Sequence, residues 1–152
     1  MKALINKITS STAGLDTTPI RVGAGIIFMA HGAQKLFGWF GGYGLEGTAG
    51  WMDSIGLGPG LLMATLAGSA EFFGGLFLII GLLVRPTALV LAATMVVAIA
   101  SVHLKNGLFL ANNGYEFGLA LLVISISLVF RGAGSFSVDQ VLQTKTQQVG
   151  AA

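Results

Sequence analysis

The chain has 152 residues, 54% of them apolar and only 9% charged, with a mean hydropathy of +0.83. A soluble domain carries roughly 25% charge, so this composition excludes an ordinary water-soluble enzyme and a disordered tail. The net charge of +2 is far short of a nucleic-acid-binding patch, and the absence of cysteine removes disulfides, thiol catalysis, iron–sulfur clusters and Cys-ligated zinc. What remains is an all-α integral membrane protein.

In chain order, residues 1–19 read as a cytoplasmic or interfacial segment, with Met1–Ile8 along the inner interface and Lys2 and Lys7 toward anionic headgroups. A helix needs about 20 mostly apolar residues to cross hydrocarbon. Ile20–Phe40 approaches that standard, interrupted by His31, Gln34 and Lys35; lacking a small-residue cleavage site, it reads as a mature span and not a signal peptide. Gly41–Gly60 follows, with eight glycines in twenty residues and with Trp39, Phe40, Tyr43 and Trp51 in or beside it. It reads as a Gly/aromatic-rich external loop anchored by its aromatics at headgroup depth. Leu61–Val84 is the second span, with Glu71 its single charge, and Pro86–Leu104 is the third. Tyr115–Phe130, 16 residues, is a short fourth span that gains a turn from Asn112–Gly114 or from Arg131 reaching outward. Residues 140–152 form a polar cytoplasmic tail, a short surface helix or a disordered stretch.

Orientation follows from the basic residues. With both termini cytoplasmic, that side receives Lys2, Lys7, Arg21, Arg85, Arg131 and Lys145, and the other only Lys35 and Lys105. The expected architecture is therefore a four-transmembrane-helix bundle over residues 20–139, N-in and C-in.

Charge inside a membrane is costly, on the order of 2.5–3.5 kcal/mol on insertion scales, and such residues usually face protein and have a partner. His31 lies about 13 Å below the outer end of the first helix and Glu71 about 15 Å below that of the second, so they share a depth. Lys35 is one turn above His31 on the same face, with Gln34 between them. Around Glu71, Ala64, Ala67, Gly68, Gly74 and Gly75 make a small-residue face that admits another helix. The other hairpin supplies His103, Asn113, Tyr115 and Glu116. Lys35 is expected to pair with Glu71 or Glu116, and Arg85 and Arg131 to act as topology determinants.

These residues carry a resemblance. His31-Gly32-Ala33-Gln34-Lys35-Leu36-Phe37-Gly38, Glu71-Phe72-Phe73-Gly74-Gly75, Val102-His103-Leu104-Lys105-Asn106-Gly107, Asn113-Gly114-Tyr115-Glu116-Phe117 and Gly134-Ser135-Phe136-Ser137-Val138-Asp139 resemble the DoxX family of small bacterial membrane proteins. The resemblance spans about Arg21 to Asp139. It implies a multi-pass, four-helix protein of the bacterial inner membrane. It also implies a link to the membrane subunit of thiosulfate:quinone oxidoreductase and to assemblies handling sulfur compounds and oxidative stress.

Cluster and resemblance together point to the membrane part of an oxidoreductase system acting with quinone as a bound substrate, with no cofactor evident in the chain itself. Glu71, His31, Lys35 and Glu116 are the expected catalytic residues. Gln34, His103, Asn113 and Tyr115 are the expected quinone-binding residues, and no metal site is expected. Without a thiol of its own the chain needs a membrane or periplasmic oxidoreductase partner, or a small reductant docking from outside. A homodimer is a further expectation; nucleic acid is not a partner. The alternative is a non-catalytic accessory or scaffold subunit whose polar cluster sets helix register. Haem held by His31 and His103, and a channel, rank below both.

Overall fold

The computed structural model of the protein describes residues 9–11 and 13–150, the side chains of 145–150 excepted. The interfacial segment expected over Met1–Ile8 lies outside them. Among the described residues there are six α-helices and no strand. They are α1 (Thr17–Phe37), α2 (Gly44–Ser54), α3 (Gly60–Ile80), α4 (Val84–Ala98), α5 (Glu116–Arg131) and α6 (Val138–Gly150). α4 runs on through a π-helical turn, Ile99–His103, and a 3-10 turn, Leu104–Asn106, to make one rod over Val84–Asn106. That rod and α3 are long and apolar enough to cross a membrane. α1 equals α3 in length at 21 residues but carries Arg21, His31, Gln34 and Lys35.

The helices end where backbone chemistry stops them. α1 ends at Phe37, short of Phe40, because Gly38 turns left-handed. α3 stops at Ile80, short of Val84: Gly81, at φ 71°, turns the chain, and its N–H donates to the Leu78 carbonyl while Leu82 N–H donates to Phe77. That glycine is required twice over, since a Cβ there would lie 2.4 Å from the Ser137 Cβ. α4 starts ahead of the expected Pro86, so the proline sits in the first turn, where its missing N–H costs nothing. The polar tail is helical as α6.

α1 and α3 lie backbone to backbone. A Cβ added to Gly32 would lie 2.3 Å from the Phe72 nitrogen, and one added to Gly75 would lie 2.5 Å from the Gly25 carbonyl oxygen. Gly25 and Gly32 on α1, and Gly68 and Gly75 on α3, recur after two turns, so each pair falls on one face. The small-residue face around Glu71 is thus filled by α1 of the same chain, and Gly74 beside it receives Leu91 of α4. A core that includes Phe28, Leu78, Leu91, Met95, Leu121 and Leu128 joins α1, α3, α4 and α5.

Gly41–Gly60, expected as a Gly/aromatic-rich loop, contains a helix. Its middle folds as α2, because Leu45, Ala49 and Met52 recur at helical spacing and Ala49 and Met52 bury with Ala64 of α3. A glycine costs a helix about 1 kcal/mol, whereas burying one side chain the size of Met52 returns about 1.5–3 kcal/mol. At the far end of α2, the Asp53 carboxylate accepts the Gly60 N–H at 2.7 Å and draws the chain into α3.

At the end of the molecule formed by the α3–α4 turn, here the proximal end, polar side chains finish the helices. Arg21, 1% exposed, donates to the carbonyls of Leu78 and Ile79 at 2.7 Å each, of Ala133 at 3.1 Å and of Phe136 at 2.9 Å. The first two belong to the last turn of α3, where the i+4 N–H donors of a continuing helix are missing. Asp139 does the converse for α4, accepting the N–H groups of Leu83 at 2.8 Å and Val84 at 3.0 Å. Arg85 donates to the carbonyls of Ser10 and Val129, and Arg131 pairs with Asp16. Arg21 and Arg85, which read as topology signals, also satisfy helix-end carbonyls.

Candidate functional site

The distal half of the molecule, away from the α3–α4 turn, encloses a cavity of about 950 Å³ bounded by α1, α3, the α4 rod and α5. Its size is at the upper end of the range for small-molecule pockets. Trp51 and Met52 of α2, with Leu110 and Asn113 of the segment before α5, line its distal end. The space exists because α3 and α4, in contact at Gly74 and Leu91, draw apart beyond that point.

At the polar end of the cavity, Lys35 Nζ lies 2.5 Å from Glu71 Oε2. The Glu71 side chain is 5% exposed and that of Lys35 25%. Removing two charges from water costs several kcal/mol per ion, which close pairing offsets. Gly68 makes the approach possible, since a Cβ there would press on Leu36 at 2.8 Å and Lys35 at 3.3 Å. Of the two partners expected for Lys35, the fold selects Glu71.

His31, one turn before Lys35, lines the same cavity and sets its ring against Phe117 of α5, centroids 5.9 Å apart. His103 lines it from the end of the α4 rod, in the π-helical turn Ile99–His103. Such turns shift the face a helix presents and recur at functional sites. His103 Nδ1 is 2.9 Å from the Asn113 carbonyl oxygen. A carbonyl only accepts, so Nδ1 carries the hydrogen and Nε2 remains as acceptor in the neutral ring or second donor in the charged one. Asn106 donates to the same carbonyl at 3.1 Å, and Asn113 itself holds φ 58°, a conformation that Asn tolerates better than most residues.

His31, Lys35, Glu71, His103 and Asn113 are therefore brought together; Gln34, Tyr115 and Glu116 stand outside the cavity wall. Gln34 donates to the Phe40 carbonyl at 3.3 Å and ties α1 to the turn that follows it. Glu116, expected in proton transfer, accepts the Leu110 N–H at 2.6 Å, because the first turn of α5 aims its carboxylate at the 3-10 turn Leu110–Asn112. Tyr115 donates its backbone N–H to the Gly107 carbonyl. Sequence reasoning missed Met52, Trp51 and Phe117 as wall residues. The Leu45/Ala49/Met52 stripe could have exposed the first two, whereas Phe117 carries no local signal.

All-helical architecture among the described residues, rods of membrane length and a charged pair set between apolar helices define the class: a helical membrane protein. The chain belongs to the DoxX family, whose model matches residues 17–104, from α1 through His103. It is 35% identical over 125 residues to a Bacillus subtilis protein named "Putative oxidoreductase CatD", covering 82% of this chain and 85% of that one. It is 30% identical over 142 residues to "Uncharacterized membrane protein Rv3486" of Mycobacterium tuberculosis, covering 87% and 84%. It is 31% identical over 126 residues to "Inner membrane protein YqjF" of Escherichia coli, covering 79% and 86%. No solved structure matches it.

Proposed function

We propose that the protein is the membrane part of an oxidoreductase system and that a quinone is reduced in the distal cavity. The observation that carries this reading is an apolar cavity whose polar end holds the Lys35–Glu71 pair, with His31 and His103 on its walls. In this reading α1, α3, the α4 rod and α5 cross a bacterial inner membrane as a four-helix bundle with both termini cytoplasmic. The names of the Bacillus and Escherichia relatives support the class and the location.

Reduction of a quinone to its quinol adds two electrons and two protons at the carbonyl oxygens. As negative charge develops on one oxygen, the Lys35 ammonium donates to it and Glu71 holds that ammonium in place. His31 flanks the same oxygen. His103, oriented through Nδ1 by the Asn113 carbonyl, delivers one proton from Nε2 of its imidazolium at the other oxygen. The Lys35 ammonium gives up the second proton at the first oxygen, and protons from the aqueous side restore both groups. Gln34, Tyr115 and Glu116 act at one remove, by fixing the backbone that carries these groups. Electrons come from a membrane or periplasmic oxidoreductase partner, or from a small sulfur reductant such as thiosulfate.

The second reading, an accessory subunit without chemistry, draws on the ion pair itself, which satisfies both charges within the chain. Its expected docking faces are spent, however: the glycines of α1 and α3 pack on each other, so a partner or second copy must dock elsewhere. Purification in mild detergent, with mass spectrometry of what co-purifies and a quinone-reduction assay with and without thiosulfate, separates the two. Bound quinone, and a turnover lost in Glu71→Gln and His31→Ala while the fold persists, is the expected result. A stoichiometric protein partner with neither quinone nor turnover would make this an accessory subunit.

A further inference from the structure

We infer that the distal cavity opens sideways between α3 and α4, and that this crevice receives the apolar tail of a lipid-soluble quinone. The inference rests on the quinone reading and adds the substrate class: a tailed molecule that arrives from the hydrocarbon phase, with its ring at the Lys35–Glu71 end.

The crevice begins where Gly74 meets Leu91, with 3.2 Å from a Cβ at the glycine to the leucine side chain. Around and beyond that contact, Leu66, Ala67 and Ala70 of α3 and Val90, Thr94 and Val97 of α4 all line the cavity. Three of them are also surface residues: Leu66 is 57% exposed, Val90 53% and Val97 55%. Side chains that line a cavity and the outer surface at once mark its mouth. On the other sides the helices meet: between α1 and α5 the rings of His31 and Phe117 lie 5.9 Å apart, with Phe117 38% exposed. α1 and α3 meet at their glycines, and on the α4–α5 side a Cβ at Gly118 would lie 3.1 Å from Ile99.

The lips carry little polarity, Ser69 and Thr94 being their hydroxyl side chains. Thr94 donates its hydroxyl to the Val90 carbonyl at 3.0 Å, and Ser101, further along the rod, donates to Val97 at 2.6 Å, so both hydroxyls are spent on their own helix. The small side chains of Ala67 and Ala70 keep the slot wide. One end of the cavity is thus charged and hydrogen-bonding, while the opening is apolar and faces lipid. An amphiphile with a polar ring and a long hydrocarbon chain matches both ends.

The test uses the whole protein in lipid nanodiscs and follows quenching of tryptophan fluorescence, Trp51 being in the cavity wall, by a decyl-tailed benzoquinone and by its tail-less analogue. Ala67→Phe/Val97→Phe, which narrows the lips, is expected to weaken the decyl compound about tenfold and the tail-less one less than about twofold. Val123→Phe, an exposed change on α5 outside the cavity, should alter neither. Equal weakening of both compounds, or of neither, overturns the crevice while leaving the quinone reading intact; no quenching by either in the unaltered protein sinks that reading and the crevice with it. Should the double variant not fold, a quinone with a diazirine at its tail end decides the matter in the unaltered protein. Crosslinks within 66–70 and 90–97 are expected, and crosslinks confined to α1 or α5 would refute the assignment.

Discussion

Lys35 and Glu71 occupy a position where each makes the other tolerable. Removing one partner of a buried pair costs about 3–5 kcal/mol, whereas replacing both with apolar groups is often close to neutral. Lys35→Met is therefore expected to lower Tm in detergent sharply, and Lys35→Met/Glu71→Leu to recover most of the loss. A double variant that melts no higher than the single one would show that the pair does not act as a unit. Asp139, on the proximal side, gives a pH-dependent counterpart. Burial pushes its carboxyl above the ordinary 3.8, outweighing the Val84 and Leu83 N–H groups and Arg21, which pull it down. The folded protein then keeps this proton to higher pH than the unfolded chain does. Its contribution to stability is complete below 3.8 and is lost as pH rises through the folded value. Plotted against pH, the Tm of Asp139→Asn should lack this acid-side decline; an identical slope in both proteins would refute the shift. Of the residues at the site, His31, Lys35 and Glu71 were legible because helical periodicity and the cost of buried charge both point at them. The hydrogen bond from Leu110 to Glu116 was not legible, because the direction of that side chain depends on a turn whose shape no local pattern reveals.

At the scale of elements, the α1–α3 seam depends on glycine wherever the other backbone arrives. Gly32→Ala places a Cβ 2.3 Å from the Phe72 nitrogen, so the helices must separate, at about 1–3 kcal/mol. Gly23, on the same helix, has nothing within 4 Å of an added Cβ, and Gly23→Ala should be neutral or stabilise by up to about 1 kcal/mol through helix propensity. Thermal melting of the two variants side by side checks this, and equal losses would mean that the seam is not tight. The small-residue face of α3 could be read from the sequence because it is periodic. α2 was concealed by its glycines, although its apolar stripe was present: composition suggested a loop where spacing and burial against Ala64 made a helix.

For the whole molecule, the proposed four crossings make a claim that the chain is well suited to test, since it has no cysteine. A thiol-reactive, membrane-impermeant reagent should label Ser54→Cys in intact cells and Thr144→Cys only after permeabilisation. Labelling of both from one side would require an even number of crossings between them and would refute the topology. What the sequence by itself determined is the helical, membrane-directed character of the chain, roughly where its long helices run, and that His31 and Lys35 share a face at the depth of Glu71. These follow from composition and from a 3.6-residue period, both carried by neighbouring residues. Tertiary structure alone decided that Lys35 pairs with Glu71, that Arg21 caps carbonyls 57 and 58 residues away, that α2 lines the distal end of the cavity, and that α3 and α4 part beyond Gly74. Those outcomes depend on how closely whole helices approach and where they diverge, and that is set by packing between residues far apart in the chain.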